Sequence, residues 1–331
     1  MGETCVPNNP QRVVTLIHHI LGHTLSLDVK PVGSDVRSIE QSSGNYLDVQ
    51  SYLGDKTEGI MVTGIEESPN LERILRLKPD LIFATDYNNQ VYSLLSQIAP
   101  VVTVPFKDVV FNWKEGFYFI AQVLGKEEKA QQALNHYYQR IEELKISLGD
   151  RYQGQTISTA GDSGINTLFA LTKGTFSGSI LSDLGLQQPE AQNVVTPNGA
   201  IYGISEERLE LVDGDVLFFL AYGKEGKAIF ERLRQRPLWK TLKAVQKGQV
   251  YLVNGWTWTG SSILAADAVI DDLYKYLVRS PSPVATVLKV KYDGQRPLLP
   301  CGKLKQRSIA VSPTKSPEVR SLFPSSDCVR S

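Results

Sequence analysis

Two stretches of this chain repeat one another. Leu71–Tyr87 reads LERILRLKPDLIFATDY and Glu207–Tyr222 reads ERLELVDGDVLFFLAY. They align without a gap at a constant offset of 135 residues: Glu72-Arg73 meets Glu207-Arg208, Lys78-Pro79-Asp80 meets Asp213-Gly214-Asp215, and Tyr87 meets Tyr222. In the first copy Leu71, Ile74, Leu75 and Leu77 follow helical spacing. Pro79 in one copy and Gly214 in the other then break the helix. The run Leu81-Ile82-Phe83-Ala84 has the length and texture of a strand buried on both faces. A polar loop with a Tyr closes each unit at the carboxyl end of the strand, where open α/β sheets bind ligands. A duplicated unit of this kind restricts the chain to an α/β fold of two similar lobes, each offering a loop to a shared cleft.

The remaining elements fit that frame. A length of 331 residues suits two domains, and 42% hydrophobic residues can fill their cores. Arg12–Ile17 reads as a first strand, a short helix covers Ile20–Leu27, and Val29–Gly33 reads as a second strand. Between the two copies, residues 112–149 carry a long helical pattern, with Gly125 a possible break and Glu127–Leu148 the stronger half. Such a helix joins lobes as a stiff strut, where a Gly/Ser linker would leave them free. The expected division is therefore an N-terminal lobe over 1–111, a linking helix over 112–149 and a C-terminal lobe over 150–278. Within the last, Val250–Val253 is a strand, Trp256-Thr257-Trp258 lies in the loop after it, and a helix begins at Ile263. Residues 279–331 differ in texture: seven of the 17 prolines fall there, with ten Lys/Arg against three Asp/Glu. This segment reads as a disordered tail.

Several function classes are disfavoured. The formal net charge is zero, and the basic tail leaves −7 on residues 1–278, so no basic field calls for nucleic acid. Cys5, Cys301 and Cys328 have neither metal-type spacing nor a readable disulfide framework. No Walker A motif is present. Gly161-Asp162-Ser163-Gly164 and Gly174–Gly178 lack the strand–elbow spacing of a serine hydrolase. No charged segment followed by an apolar one precedes Cys5, so as written there is no signal peptide.

The motifs Pro10-Gln11-Arg12-Val13-Val14, Asn70-Leu71-Glu72-Arg73-Ile74, Leu77-Lys78-Pro79-Asp80-Leu81-Ile82, Gly174-Thr175-Phe176-Ser177-Gly178 and Asp183-Leu184-Gly185-Leu186 complete the pattern. Together with Val29-Lys30-Pro31-Val32-Gly33 they resemble the substrate-binding proteins of iron–siderophore ABC importers, a class that includes cobalamin binders. The resemblance runs from about Pro7 to Val278. It implies the class III periplasmic-binding-protein fold, two Rossmann-like α/β lobes joined by a single long helix. It also implies capture of a ferric siderophore as ligand, with no intrinsic cofactor, no bound metal of the protein's own and no enzymatic activity. Delivery would be to ABC importer permease subunits, by a monomer in the periplasm or by a membrane-anchored lipoprotein if a leader precedes this chain. Haem or cobalamin binding on the same fold, or a cytoplasmic enzyme that processes metal chelates, are the alternatives.

By motif match, the residues that would dock the permease are Glu72 and Glu207, with Glu206 competing on the second lobe. A bulky, polar-rimmed ferric chelate needs aromatic faces and cations. Tyr87, Tyr222, Trp256 and Trp258 stand at loop ends, Arg37 and Lys173 can supply charge, and Tyr46 and Tyr202 lie behind them. Alternation in an extended loop would put Trp256 and Trp258 on one side. His18, His19 and His23 form the one histidine cluster, and His18 and His19 can meet a chelate from the end of the first strand.

Overall fold

The computed structural model describes residues 3–36, 51–66, 68–164, 167–279 and 328–330. Arg37 and Tyr46 lie outside these, as does the expected tail apart from residue 279 and residues 328–330.

After β1 (Glu3–Cys5), the first half builds one sheet from β2 (Val13–Thr15), β3 (Gly33–Val36), β4 (Met61–Ile65), β5 (Ser68–Pro69), β6 (Leu81–Ala84) and β7 (Val101–Thr103). Its order is β5-β4-β3-β2-β6-β7, parallel except for the short β5. The second half builds another from β8 (Ile157–Gly164), β9 (Thr167–Leu171), β10 (Ala200–Ile204), β11 (Val216–Ala221) and β12 (Val250–Asn254), in the order β10-β9-β8-β11-β12. Here β8, β11 and β12 pair in parallel, while β9 runs opposite to both of its neighbours, β8 and β10. The strand expected over Val29–Gly33 is β3, and it starts at Gly33, not Val29. Pro31 has no N–H to give a ladder, and the Val29 N–H is spent on Thr24 O at the end of the preceding helix.

The duplicated unit shows why its sequence recurs. Leu81, Ile82 and Phe83 of β6, and Val216 to Phe219 of β11, have no exposed surface, as strands covered on both faces require. The acid before each strand does the same work twice. Asp80 accepts from the backbone N–H groups of Gln11 (2.7 Å) and Arg12 (2.8 Å), just ahead of β2. Asp215 accepts from the N–H (2.8 Å) and hydroxyl (3.1 Å) of Thr156, just ahead of β8. Each carboxylate thus pins the start of the neighbouring parallel strand. The helices before them diverge. Leu71–Arg76 is an α-helix capped by the Asn70 side chain, which accepts from the Arg73 N–H. Its counterpart, Glu206–Val212, is a tighter 3-10 helix irregular at Arg208; the Ser205 hydroxyl bonds the Glu207 carboxylate and leaves the backbone uncapped.

The long helical pattern is two helices, Trp113–Leu124 and Glu127–Leu148, separated by Gly125 in the left-handed conformation at φ 62°. The 22 residues of the second span about 33 Å. Its buried stripe of Ala130, Tyr137, Ile141, Leu144 and Leu148 belongs to one apolar core that also holds Val13 and Phe83 of the first sheet and Phe218 and Val253 of the second. The two sheets therefore share one interior. A further tie comes from the helix Ile263–Leu273. Arg140 on the long helix bonds Asp267 (2.8 Å) and Asp271 (2.6 Å) of it. Ser262, its cap, sits so close to Gly22 of the helix His18–Ser26 that a Cβ on Gly22 would lie 2.6 Å from the Ser262 hydroxyl. Cys5 is disulfide-bonded, and in the antiparallel pairing of β1 with β13 (Cys328–Arg330) it stands opposite Cys328. Sequence spacing could not show this strand pairing, because β1 and β13 lie far apart in the chain.

Candidate functional site

A cleft of about 470 Å³ opens where the carboxyl ends of strands from both halves converge. The first half contributes His19, Phe106, Val110 and Phe111; most of the wall comes from the second, including Asp162, Phe169, Tyr202, Tyr222, Trp256 and Thr259.

The aromatic wall is positioned by backbone. Asn254 ends β12 and accepts from the Trp256 N–H (2.9 Å), so Gly255–Trp258 forms one helical turn. Residues two apart on such a turn are about 200° apart around its axis. Trp256 consequently meets Tyr222 edge-on at 4.9 Å, and His18 of the first half at 6.4 Å. Trp258 turns inward: it is fully buried, stacks on Phe218 at 4.5 Å and donates its indole N–H to Asp272 at 2.9 Å. Both indoles line the cleft, but not side by side as extended-chain alternation would have it: Trp256 stands in the wall and buried Trp258 forms part of the floor.

The histidines divide three ways. His19 lines the cleft and its Nε2 donates to the carbonyl of Thr259 (3.1 Å), crossing from one half to the other. His18 stacks close to His19, ring centroids 3.8 Å apart, and its Nδ1 makes a short bond to Glu66. His23 faces away, stacked on Phe117, and burial pushes it down to about 3, so it is neutral at any physiological pH. Tyr202 is 60% exposed at the cleft rim. Tyr87, 56% exposed, packs on Phe106 and so touches the wall from outside. Lys173 is exposed and does not form the wall. Among the described residues, no group of three or more His, Cys, Asp or Glu is arranged to hold a metal ion.

Asp35 near the end of β3 is wholly buried, and among the described residues neither carboxylate oxygen is bonded to another residue. Burial, with Glu66 adding like charge, pushes it well above the usual carboxylate range. A raised folded-state value means that the stability tied to its proton is present below about pH 4 and drains away as pH climbs through the folded-state value. Asp35→Asn is expected to stabilise the protein by about 1–3 kcal/mol at pH 7, with little gain at pH 4. Urea unfolding at the two pH values checks this; equal gains at both would refute it.

The two motif acids are both at the surface. Glu72 pairs with exposed Arg76 one turn on, at 2.6 Å. Glu207 is fully exposed, its carboxyl held below the ordinary range by the Ser205 hydroxyl and its own backbone N–H. Its neighbour Glu206 is engaged by Arg236, which leaves Glu207 as the available acid of the pair.

Phe106, Phe111, Phe169 and Asp162 were not among the candidates drawn from sequence. Phe106 follows Pro105 just past β7, and Asp162 lies near the end of β8, so the strand-end rule that selected Tyr87 and Tyr222 would have found both.

Comparison with known proteins gives concordant matches. The family model described as periplasmic binding protein matches residues 46–255. A probable siderophore-binding lipoprotein of Bacillus subtilis is 31% identical over 286 residues, 83% of this chain and 85% of its own length. The achromobactin-binding periplasmic protein of Dickeya dadantii is 31% identical over 80% of this chain and 85% of its own. Among solved structures, Staphylococcus aureus SirA complexed with staphyloferrin B superposes with a TM-score of 0.71 at 30% identity, covering 84% of this chain and 96% of that one.

Proposed function

The chain belongs to the periplasmic binding protein family, and from that premise we propose that it captures a ferric siderophore in the cleft and delivers it to an ABC permease for iron uptake. The observation that carries this reading is the 470 Å³ cleft itself, walled by aromatic rings from the second half and roofed by His19 and Phe106 from the first. Aromatic faces supply large, rigid contact to the organic shell of a chelate and leave the iron to its own ligands. The protein's part is binding and release, without chemical turnover. Glu72 and Glu207, one on each half, are the contacts we assign to the permease, by charge pairing with cationic residues. The disulfide at Cys5 supports an oxidising, extracytoplasmic setting. We assign it to act as a monomer, with little lobe movement on loading because both sheets pack on one core.

The test is a panel of ferric chelates titrated against purified protein while Trp fluorescence is followed. Saturable quenching by at least one of them is expected, since Trp256 lies in the wall. No quenching by any, together with conversion of one chelate to a new product, would move the reading to an enzyme.

A further inference from the structure

The second half gives the cleft a chemical bias. The Phe169 ring lies over Gly161, where a Cβ would stand 2.6 Å from it, and the Tyr222 ring lies over Gly255 at the same spacing. These two glycines let the rings settle directly onto backbone. Phe169 is 6.1 Å from Tyr202 and 6.5 Å from Tyr222, and Tyr222 is 4.9 Å from Trp256, so the four rings run as a chain along one wall. Asp162, next to Gly161, lines the same cleft, and its side chain has no hydrogen bond or ion pair among the described residues. Among the described residues no Lys or Arg lines the cleft.

Aromatic faces are negative and attract cations, and a nearby carboxylate adds a full charge of the same sign. A chelate rich in free carboxylates meets repulsion from such a wall, whereas a protonated amine finds both a ring face and a counter-ion. We propose that the cleft selects a ferric chelate bearing a pendant protonated amine, with Asp162 as the specificity-determining residue; this rests on the siderophore-binding reading above.

The experiment compares three probes by Trp quenching: the ferric complex of a linear trishydroxamate ending in a primary amine, the same complex with that amine acetylated, and ferric dicitrate. The amine form is expected to bind about tenfold more tightly than the acetylated form, with ferric dicitrate weakest. In Asp162→Asn the ratio between the first two should shrink to within about twofold. The wild-type comparison stands even if that variant does not fold. Equal binding of the amine and acetylated forms, or tightest binding of ferric dicitrate, overturns this inference and leaves siderophore capture standing. Quenching by none of the three overturns this inference, while the siderophore reading is decided by the wider panel above.

Discussion

Trp256→Ala is expected to weaken binding of the ferric chelate about 30- to 100-fold without unfolding the protein. The residue is half-buried in the cleft wall, edge-on to Tyr222 of the second half and 6.4 Å from His18 of the first. Rigid aromatic anchors in such central, water-poor positions dominate binding energies, and their truncation commonly costs 2 kcal/mol or more. Its turn is held by Asn254 through backbone groups that the substitution leaves in place. The neighbouring indole provides the contrast. Trp258→Ala removes a fully buried ring stacked on Phe218 and a hydrogen bond to Asp272, so it should cost about 3–5 kcal/mol of stability. Affinity from calorimetric titration, set beside the melting temperature of each variant, separates the two roles. If Trp256→Ala bound the chelate as tightly as the native protein, the cleft would not be the site.

Charge reversal at both surface acids, Glu72→Arg with Glu207→Arg, is expected to reduce siderophore-dependent iron uptake at least 100-fold in cells carrying the partner permease. Chelate affinity in vitro should stay within about twofold, because neither acid lines the cleft. Each single reversal should fall between. The competing explanation is local: both acids begin a helical segment, where a negative charge complements the helix dipole. That role predicts a different result, a loss of about 0.3–1 kcal/mol of stability each and uptake close to normal. Glu206→Arg is the internal control. Glu206 is occupied by Arg236, so its reversal should disturb the fold locally and leave docking less affected.

The architecture was legible because it was written twice. The offset of 135 residues aligned Asp80 with Asp215, and the structure gives both the same task of pinning a parallel strand. Strands covered on both faces leave continuous apolar runs, which is why the run Leu81–Ala84 shows β6 within its bounds and the 135-residue offset places its counterpart β11. The site was less legible. The orientation of Trp258 depends on a cap at Asn254 that turns an extended stretch into a helix, a choice made by one side chain. Phe169 is an ordinary strand residue until Gly161, across the ladder, makes room for its ring. The pairing of β1 with β13, which sets Cys5 opposite Cys328, joins segments far apart in the sequence and carries no local signal.

The common interior beneath the two sheets, laced by the Arg140 contacts and the close approach of Ser262 to Gly22, has a consequence for traffic. If loading moves the lobes as little as proposed above, the carrier would present nearly one silhouette whether vacant or laden. Vacant copies would then queue at the transporter alongside laden ones, and import would slow when the carrier outnumbers its cargo. Telling the two apart would fall to the cargo itself, visible at the mouth of the cleft.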